Sequence, residues 1–413
     1  MLGRYPPAPG INPANFGYDL VMTDEQVAVV VIGGGPAGAA AARGYRESGG
    51  TGRVVMLSAD TTAPYFRPAL SKEYLRGELH EHELPVESGD FYREHEIELR
   101  LREPVTELIP GRHRARTRSG TTIDYGHCVL ATGARPSPPS VPGLEHKTTR
   151  TLRSLQSSSE LRSDAERSET VAVVGSGFIG CEAAVSLARR GKSVTLTAPE
   201  DLPQQQRLGA FAGAHILAWL HAEGVHTELS APLADVTADG RLRLADGRTI
   251  DAELTLLATG IQPRVELAAE AGLAVNSGRI RTDTRMRTTA PDVYAAGDVA
   301  LADNAMAGRP LPVEHWGEAL AMGEIAGTNI AGADTEWRNP PGFWTALGER
   351  TLKYSAWGDG FDETRVFSQD DGSFTVWYGS DGVIVGVLTH NADTEYERGT
   401  DRVRRAVPLS EVG

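Results

Sequence analysis

Two glycine-rich turns of the same form constrain the fold of this chain more than any other feature. The first reads GGGPAG at positions 33–38 and follows the apolar run 27–32, and the second reads GSGFIG at positions 175–180 and follows the apolar run 171–174. Each pattern predicts a strand, a tight turn and a helix whose N-terminus faces a pyrophosphate. One such turn is weak evidence for a nucleotide site, but two in this context predict two dinucleotides in one chain.

The positions within each turn have separate tasks. The first glycine makes the turn, the second lets the backbone approach a pyrophosphate, and the third lets the helix pack closely on the strand. The residues that we predict to form the two turns of the site are Gly33, Gly35, Pro36, Ala37 and Gly38, and then Gly175, Gly177, Phe178, Ile179 and Gly180.

Composition narrows the classes of protein that are possible. The chain has 413 residues, 40% of them hydrophobic, and a formal net charge of −14. The length predicts two or three domains, and the negative charge argues against binding to nucleic acid or to an anionic membrane surface. No apolar run approaches the roughly 18 residues of a membrane span, and no leader pattern begins the chain, so we expect a cytoplasmic protein with no membrane insertion.

The two cysteines are informative because of where they lie. Cys128 and Cys181 form no close pair of the kind through which disulfide-reducing flavoproteins relay electrons. Cys128 falls in a predicted buried strand and Cys181 in the helix after the second turn. We predict two inert, buried thiols.

The rest of the chain predicts an α/β protein of two Rossmann-like dinucleotide-binding domains, one inserted in the other, and a C-terminal α+β domain with an antiparallel sheet. The sequence LATG at 130–133 recurs at 257–260, which indicates this internal duplication. We predict a flexible N-terminal extension, an FAD-binding domain in two segments, an NAD(P)H-binding domain and a C-terminal domain. Their ranges are 1–24, then 25–150 with 277–332, then 151–276, and 333–413.

Three further motifs show a family resemblance. They are RPALSK at 67–72, the run TTAPDVYAAGD at 288–298, and VEHW at 313–316. With the two turns, these motifs resemble the FAD-dependent pyridine nucleotide reductases, in the branch of ferredoxin reductases and apoptosis-inducing-factor-like proteins. The resemblance covers about residues 27–405 and implies FAD and NAD(P)H as cofactors.

The resemblance also implies roles for individual residues around the flavin. Arg67 and Lys72 are expected to border the ring, where a cation stabilises the negative charge that develops on reduction. Asp298, next to Gly297, is expected to accept a hydrogen bond from the ribityl chain, although an ordinary helix N-cap is the alternative. Small residues let backbone approach the cofactor, and Val105 is expected near the adenine. The small residues concerned are Ala131, Thr132, Gly133 and, in the second unit, Gly260.

The VEHW segment is expected at the pyrimidine end of the flavin. Glu314, His315 and Trp316 belong to it, and Trp316 either covers the ring or lines the path by which electrons leave, with core packing as the alternative. His315 departs from the commoner residues of the branch and resembles its apoptosis-inducing-factor side. We assign it no acid or base role.

Glu182, two positions after the second turn, resembles the carboxylate that orients the nicotinamide amide in relatives; a solvated helix glutamate is the alternative. The acid that NAD domains carry after their second strand is displaced to Glu200, which favours NADH over NADPH. In the first unit Ser58 occupies the corresponding position, with Asp60 as a substitute.

The function that follows is an FAD-dependent oxidoreductase that passes electrons from NADH to a protein acceptor such as a ferredoxin, with Lys72, Glu182 and Trp316 as its catalytic residues. Two alternatives stay open: an NAD(P)H oxidase or quinone reductase without a protein partner, and an NADH-sensing binding protein. The protein is expected to be a monomer or a homodimer without a metal. An acidic acceptor needs a basic docking face. The candidates are Arg189, Arg190 and Lys192, or Arg402, Arg404 and Arg405, with ordinary solvated helix faces as the alternative.

Overall fold

The computed structural model describes residues 24–412. The predicted extension over 1–24 lies outside the described residues, except for the backbone of its last residue. From residue 24 to residue 136 the elements are the strands β1 (Asp24–Ile32), β2 (Val54–Leu57), β3 (Ile97–Arg100), β4 (Val105–Ile109), β5 (Arg114–Thr117), β6 (Thr122–Leu130) and β7 (Ala134–Pro136) and the helices α1 (Pro36–Glu47), α2 (Glu73–Arg76) and α3 (Gly89–Glu94).

The first sheet is a Rossmann-like layer with the strand order β3-β2-β1-β6-β5-β4. Its centre is parallel: Val30 pairs with Val55 on one side and with Cys128 on the other. Runs of valine and leucine form these strands because both faces of a parallel sheet are covered. Helix α1 follows β1 directly, which puts the first glycine turn at the carboxyl edge of the sheet.

The second segment forms a parallel sheet of its own. Its elements are the strands β8 (Thr149–Thr151), β9 (Thr170–Val174), β10 (Ser193–Thr197), β11 (His226–Glu228), β12 (Leu233–Val236), β13 (Leu242–Leu244), β14 (Thr249–Ile250) and β15 (Leu254–Leu257) and the helices α4 (Leu155–Glu166), α5 (Phe178–Arg189) and α6 (Gln205–Ala222). The order is β11-β10-β9-β15-β8, and β12, β13 and β14 form a separate antiparallel sheet. Ser154 caps α4 by accepting a hydrogen bond from the Ser157 amide.

The chain then returns to the first sheet. The elements of this third segment are the strands β16 (Ile261–Pro263), β17 (Val275–Asn276), β18 (Arg279–Thr282), β19 (Val293–Ala295), β20 (Ala300–Asn304) and β21 (Arg309–Pro312) and the helices α7 (Glu266–Glu270) and α8 (Trp316–Ile330). Strand β19 pairs with β6, Tyr294 opposite Val129, and completes a seven-stranded sheet. Strand β16 pairs with β7, so two connections between the units lie side by side.

The last segment is an antiparallel sheet with one long helix. Its elements are the strands β22 (Gly342–Leu347), β23 (Arg350–Ala356), β24 (Glu363–Ser368), β25 (Phe374–Ser380) and β26 (Val383–His390) and the helix α9 (Asp393–Arg404). The strand order is β22-β23-β26-β25-β24. Buried residues of this sheet, such as Tyr354 and Phe374, share one hydrophobic core with Leu187 and Leu220 of the second unit.

This architecture confirms the predicted fold class. The domain boundaries stay predictions; the strand at the 150/151 boundary, β8, pairs with β15 of the second sheet. Cys128 lies in β6 and Cys181 in α5, and both are buried, as predicted. Burial raises the pKa of both thiols because the thiolate loses its solvation.

Candidate active site

One cleft of about 1440 Å³ runs between the two Rossmann-like units and the start of the C-terminal sheet. Every residue predicted to contact a cofactor lines it except Gly38, Gly175 and Gly180 of the two turns, and Glu200. The volume exceeds the roughly 300–1,000 Å³ that is usual for one small-molecule site. The cleft therefore has room for more than one ligand.

The first glycine turn is built so that backbone, rather than side chains, forms the cleft wall. Gly33 has a φ of +130°, and a Cβ there would lie 2.1 Å from the carbonyl oxygen of Ala131. A Cβ on Gly38 would lie 2.1 Å from the carbonyl oxygen of Gly33, so helix and strand approach too closely for a side chain. At Gly35 a Cβ would meet no protein atom within 4 Å. This open space at the N-terminus of α1 fits the pyrophosphate of a dinucleotide.

The second turn repeats this geometry. Gly175 has a φ of +111°, its Cβ would lie 2.4 Å from the carbonyl oxygen of Ala258, and a Cβ on Gly180 would lie 2.0 Å from the carbonyl oxygen of Gly175. At Gly177 the nearest protein atom to an added Cβ is 3.8 Å away, on the Gln204 amide. The space in front of α5 therefore fits the pyrophosphate of a second dinucleotide.

Asp60 and Arg67 belong to one polar group at the side of the first turn. The Asp60 carboxylate accepts a hydrogen bond of 3.0 Å from the Tyr65 hydroxyl and lies 4.0 Å from Arg67. Arg67 also donates to the backbone carbonyl of Arg153 at 2.7 Å. Ser58 is buried and lies close to the turn, since a Cβ added to Gly34 would be only 2.2 Å from the Ser58 hydroxyl. Of the two residues, Asp60 is the one that brings a carboxylate to the cleft wall.

Asp298 lies in the cleft wall with two arginines that sequence reasoning missed. Its carboxylate accepts a hydrogen bond from Arg153 at 2.5 Å. Arg279 donates to the backbone carbonyl of Asp298 and to the carboxylate of Glu314. Arg153 is 145 residues from Asp298 in sequence and carries no local pattern that marks it, so only the fold reveals the contact.

Lys72 and Glu182 form a buried ion pair. The Lys72 ammonium lies 2.8 Å from Oε2 of Glu182, and both side chains are about 4% exposed. The Ser71 hydroxyl donates to the same oxygen at 2.5 Å, and the Thr345 hydroxyl donates to Oε1 at 2.7 Å. Three segments of the chain therefore meet at Glu182: the RPALSK segment, α5 and β22. The sequence predicted Lys72 and Glu182 separately, but neither their contact nor the two hydroxyl groups.

A group of three aromatic residues contacts this ion pair through Trp344. The Trp316 ring packs edge-on against Phe66 at 5.3 Å, and Phe66 stacks 6.5 Å from Trp344. The Lys72 ammonium lies 5.0 Å from the centre of the Trp344 ring, a cation–π contact. Trp344 is 42% exposed, so the group extends from the cleft to the surface. Trp316 was predicted at this place; Phe66 and Trp344 were missed.

His315 is a neutral side chain at neutral pH. Burial, and the nearby Arg207 cation, lower its pKa to about 4. Its ring packs 4.8 Å from Phe343, which in turn lies 4.5 Å from Phe178 of the second turn. The side chain thus contributes an aromatic face to the cleft rather than a charge.

Glu318, in the first turn of α8, was not predicted from sequence. Its carboxylate accepts hydrogen bonds from the Trp337 indole at 3.0 Å and from the Gly342 amide at 3.2 Å. Burial raises its pKa to about 7, although the two hydrogen bonds act in the opposite direction. It is a cleft-lining carboxylate that changes charge near neutral pH.

The end of strand β10 differs from the common pattern. Ala198, the first residue after this strand, is 1% exposed and has no side chain with which to bind a ribose. Two residues later, Glu200 accepts a hydrogen bond of 3.1 Å from the hydroxyl of Ser176 in the second turn. An acid therefore lies beside the turn, even though it is displaced along the chain.

Most of the cations in the two candidate basic faces pair with acids. Arg189 pairs with Glu223 and Glu349, and Arg404 and Arg405 pair with Asp401. None of these arginines lines the cleft. Arg190 pairs with Glu166, while Arg402 lies 5.3 Å from the centre of the Trp377 ring and Lys192 makes no ion pair within the described residues.

Membrane-spanning helices and metal-binding groups were also predicted to be absent. No helix within 24–412 is both long and apolar enough to cross a membrane. Over the same part of the chain, no group of three or more His, Cys, Asp or Glu side chains is arranged to hold a metal ion.

Comparison with known proteins agrees with the family resemblance of the sequence motifs. The family model described as pyridine nucleotide-disulphide oxidoreductase matches residues 27–323. A rubredoxin-NAD(+) reductase of Pseudomonas putida is 33% identical over 331 residues, which are 79% of this chain and 86% of that protein. The ferredoxin reductase for the CYP199A2 system from Rhodopseudomonas palustris has a TM-score of 0.86 at 27% identity, covering 93% of this chain and 98% of that one. The covalent putidaredoxin reductase–putidaredoxin complex has a TM-score of 0.87 at 26% identity, covering 92% and 94%.

Proposed function

This chain belongs to the pyridine nucleotide-disulphide oxidoreductase family, and we propose that it is an FAD-dependent enzyme that passes electrons from NADH to a small ferredoxin-like protein. The observation that carries the proposal is that two glycine turns of the same geometry open into one cleft. FAD, when bound, accepts the two electrons of a hydride and returns them one at a time. The protein's own task is to hold both nucleotides in this cleft.

The residues of the cleft divide this task. We propose that Gly35 and the N-terminus of α1 hold the FAD pyrophosphate, while Gly177 and the N-terminus of α5 hold that of NADH. Lys72 supplies positive charge where the ring gains electrons. Glu182 orients the nicotinamide carboxamide, and the Lys72 ammonium, 2.8 Å from Oε2, pairs with this buried carboxylate.

The aromatic group fits the exit of electrons. Trp316 lies inside the cleft, Phe66 contacts it, and Trp344 reaches the surface. A partner that docks over Trp344 would therefore lie close to the cleft. A thiol relay would need a cysteine at the cleft, and neither of the two cysteines lines it. The proposed route to the acceptor thus avoids thiol chemistry.

The proposed preference for NADH rests on Glu200. A carboxylate beside the second turn accepts hydrogen bonds from a ribose 2′-hydroxyl and repels a 2′-phosphate. Arg207 also lines the cleft and would favour NADPH if it reached the 2′-phosphate, but it lies near His315 and 6.0 Å from the Phe178 ring.

The test is stopped-flow reduction of the FAD-loaded protein without oxygen, first with NADH and then with NADPH. Reoxidation is next followed with a panel of ferredoxins, rubredoxins and quinones, and with air. We expect faster reduction by NADH and fastest reoxidation by a ferredoxin. Rapid consumption of oxygen or quinone would instead favour an oxidase or a quinone reductase. A reduced complex that survives in air with a changed oligomeric state would favour a sensor.

A further inference from the structure

Thr345 brings the C-terminal sheet into contact with the nucleotide-binding part of the cleft. Its hydroxyl donates a hydrogen bond of 2.7 Å to Oε1 of Glu182. Thr345 is 2% exposed and Glu182 is 4% exposed, so water does not compete for this contact. Thr345 lies on β22, 163 residues from Glu182 in sequence. A hydroxyl from a separate sheet thus binds a carboxylate that lines the cleft.

The Thr345 hydroxyl occupies one of the hydrogen-bond acceptor positions of the Glu182 carboxylate. Each carboxylate oxygen accepts about two hydrogen bonds. Oε2 of Glu182 is fully used, because it accepts from the Ser71 hydroxyl and the Lys72 ammonium. Oε1 accepts only from Thr345 among the described residues. One acceptor position therefore remains on Oε1. The position that Thr345 occupies determines the direction in which the remaining one points.

The strand that carries Thr345 is held in place on both sides. Phe343 packs 4.5 Å from Phe178 at the start of α5, and Trp344 lies over the Lys72 ammonium. Phe343 and Trp344 are the two residues directly before Thr345 in sequence. They keep the hydroxyl in register with Glu182, so the hydrogen bond is a rigid feature of the site.

We propose that Thr345 is a positioning residue, which turns the last acceptor position of Glu182 toward the carboxamide N–H of a bound nicotinamide. The inference rests on the proposed function, in which Glu182 contacts that carboxamide. It gives the C-terminal sheet a part in nucleotide binding, in addition to any contact with an electron acceptor. The ligand group concerned is a primary amide. The affinity of a nucleotide that lacks this amide should therefore not depend on Thr345.

The experiment compares two ligands on the FAD-loaded protein. NAD⁺ carries the carboxamide and does not reduce the flavin, while ADP-ribose lacks the nicotinamide ring. Thr345→Val removes the hydroxyl at nearly constant volume and Thr345→Ser retains it. We expect Thr345→Val to weaken NAD⁺ binding by about tenfold, since a charged acceptor loses its donor. ADP-ribose binding should be unchanged, and Thr345→Ser should stay near the original affinity.

Retained FAD absorbance and an unchanged melting temperature check that each variant is folded. If Thr345→Val does not fold, Thr345→Ala carries the same expectation. Equal losses for NAD⁺ and ADP-ribose, or a Thr345→Ser variant as weak as Thr345→Val, would overturn the inference. Glu182→Gln distinguishes the role of Glu182 in the proposed function from the positioning role of Thr345. If it leaves NAD⁺ binding unchanged, the role of Glu182 in the proposed function fails; if it weakens NAD⁺ while Thr345→Val does not, only the positioning role fails.

Discussion

The two glycine turns share one backbone design and differ in what covers them. Ala37 and Ile179 occupy the same position in the two turns, yet Ala37 is 5% exposed and Ile179 is 45% exposed. Helix α8 lies against α1 so closely that a Cβ on Gly323 would be 2.1 Å from the carbonyl oxygen of Ala37. The first turn is thus closed behind by a second helix, while the start of α5 is open.

This difference matches two kinds of nucleotide. A cofactor that stays bound benefits from a rigid, covered cradle, because little order has to be gained on binding. A nucleotide that must leave after each reaction needs an accessible one. Under the proposed function, the first turn would hold a resident ligand and the second an exchanging one, and helix α8 behind the first turn would account for the difference.

The largest effect is expected from a matched pair of substitutions, Gly35→Val and Gly177→Val. Gly35 has a φ of −97° and Gly177 one of −66°, which any residue adopts, and neither added Cβ meets a protein atom closer than 3.8 Å. The fold should tolerate both, but each side chain fills its pyrophosphate space. We expect Gly35→Val to lose FAD, and Gly177→Val to keep FAD but lose reduction by NADH.

Absorbance of the purified protein and anaerobic stopped flow measure these two results. The reverse outcome, with FAD lost from Gly177→Val and kept by Gly35→Val, would show that the two nucleotides have been exchanged in our assignment.

The parts of the site that sequence reasoning predicts are those with a local backbone requirement. The turns at Gly33 and Gly175 need positive φ and close approach, and these needs leave a pattern within six residues. Lys72 and Asp298 lie in longer motifs whose resemblance to a family supplied their roles. All of these residues line the cleft or, like Gly175, lie directly beneath it.

The parts that sequence reasoning missed depend on contacts between distant segments. Thr345 is one threonine in a strand, and nothing near it in the chain indicates that it binds Glu182. Arg153 similarly follows a short strand with no motif. Ala198 shows a different limit: the usual acid is missing there, and only the hydrogen bond between Ser176 and Glu200 indicates a replacement. Such contacts follow from the packing of whole units.

A smaller effect should follow from loosening the helix behind the first turn. In Gly323→Ala the new methyl group collides with the backbone of α1, so the two helices must separate. We expect a loss of about 2 kcal/mol in the free energy of unfolding, within the usual cost of overpacking, and weaker retention of FAD. ADP-ribose binding at the second turn should not change.

Denaturant unfolding and FAD titration test this expectation. Gly317→Ala is the matched control for stability, because it lies on the same helix and its Cβ would meet no atom within 4 Å. Equal loss of ADP-ribose binding in Gly323→Ala would contradict the view that α8 supports the first turn alone.

The smallest effect concerns pH and Glu318, at the start of the same helix. Its pKa is about 7 in the folded protein, above the ordinary value of 4.5, because burial disfavours the charged carboxylate. The unfolded chain therefore releases this proton at lower pH than the folded one, and stability falls as pH rises from 4.5 through 7. Partial exposure of the carboxylate keeps the expected loss to about 1 kcal/mol. Glu318→Gln should flatten this slope, measured by denaturant unfolding across the pH range, while Glu324→Gln, at an exposed position of α8, should leave it unchanged. An equal slope in Glu318→Gln and the original protein would contradict a raised pKa for Glu318 in the folded protein.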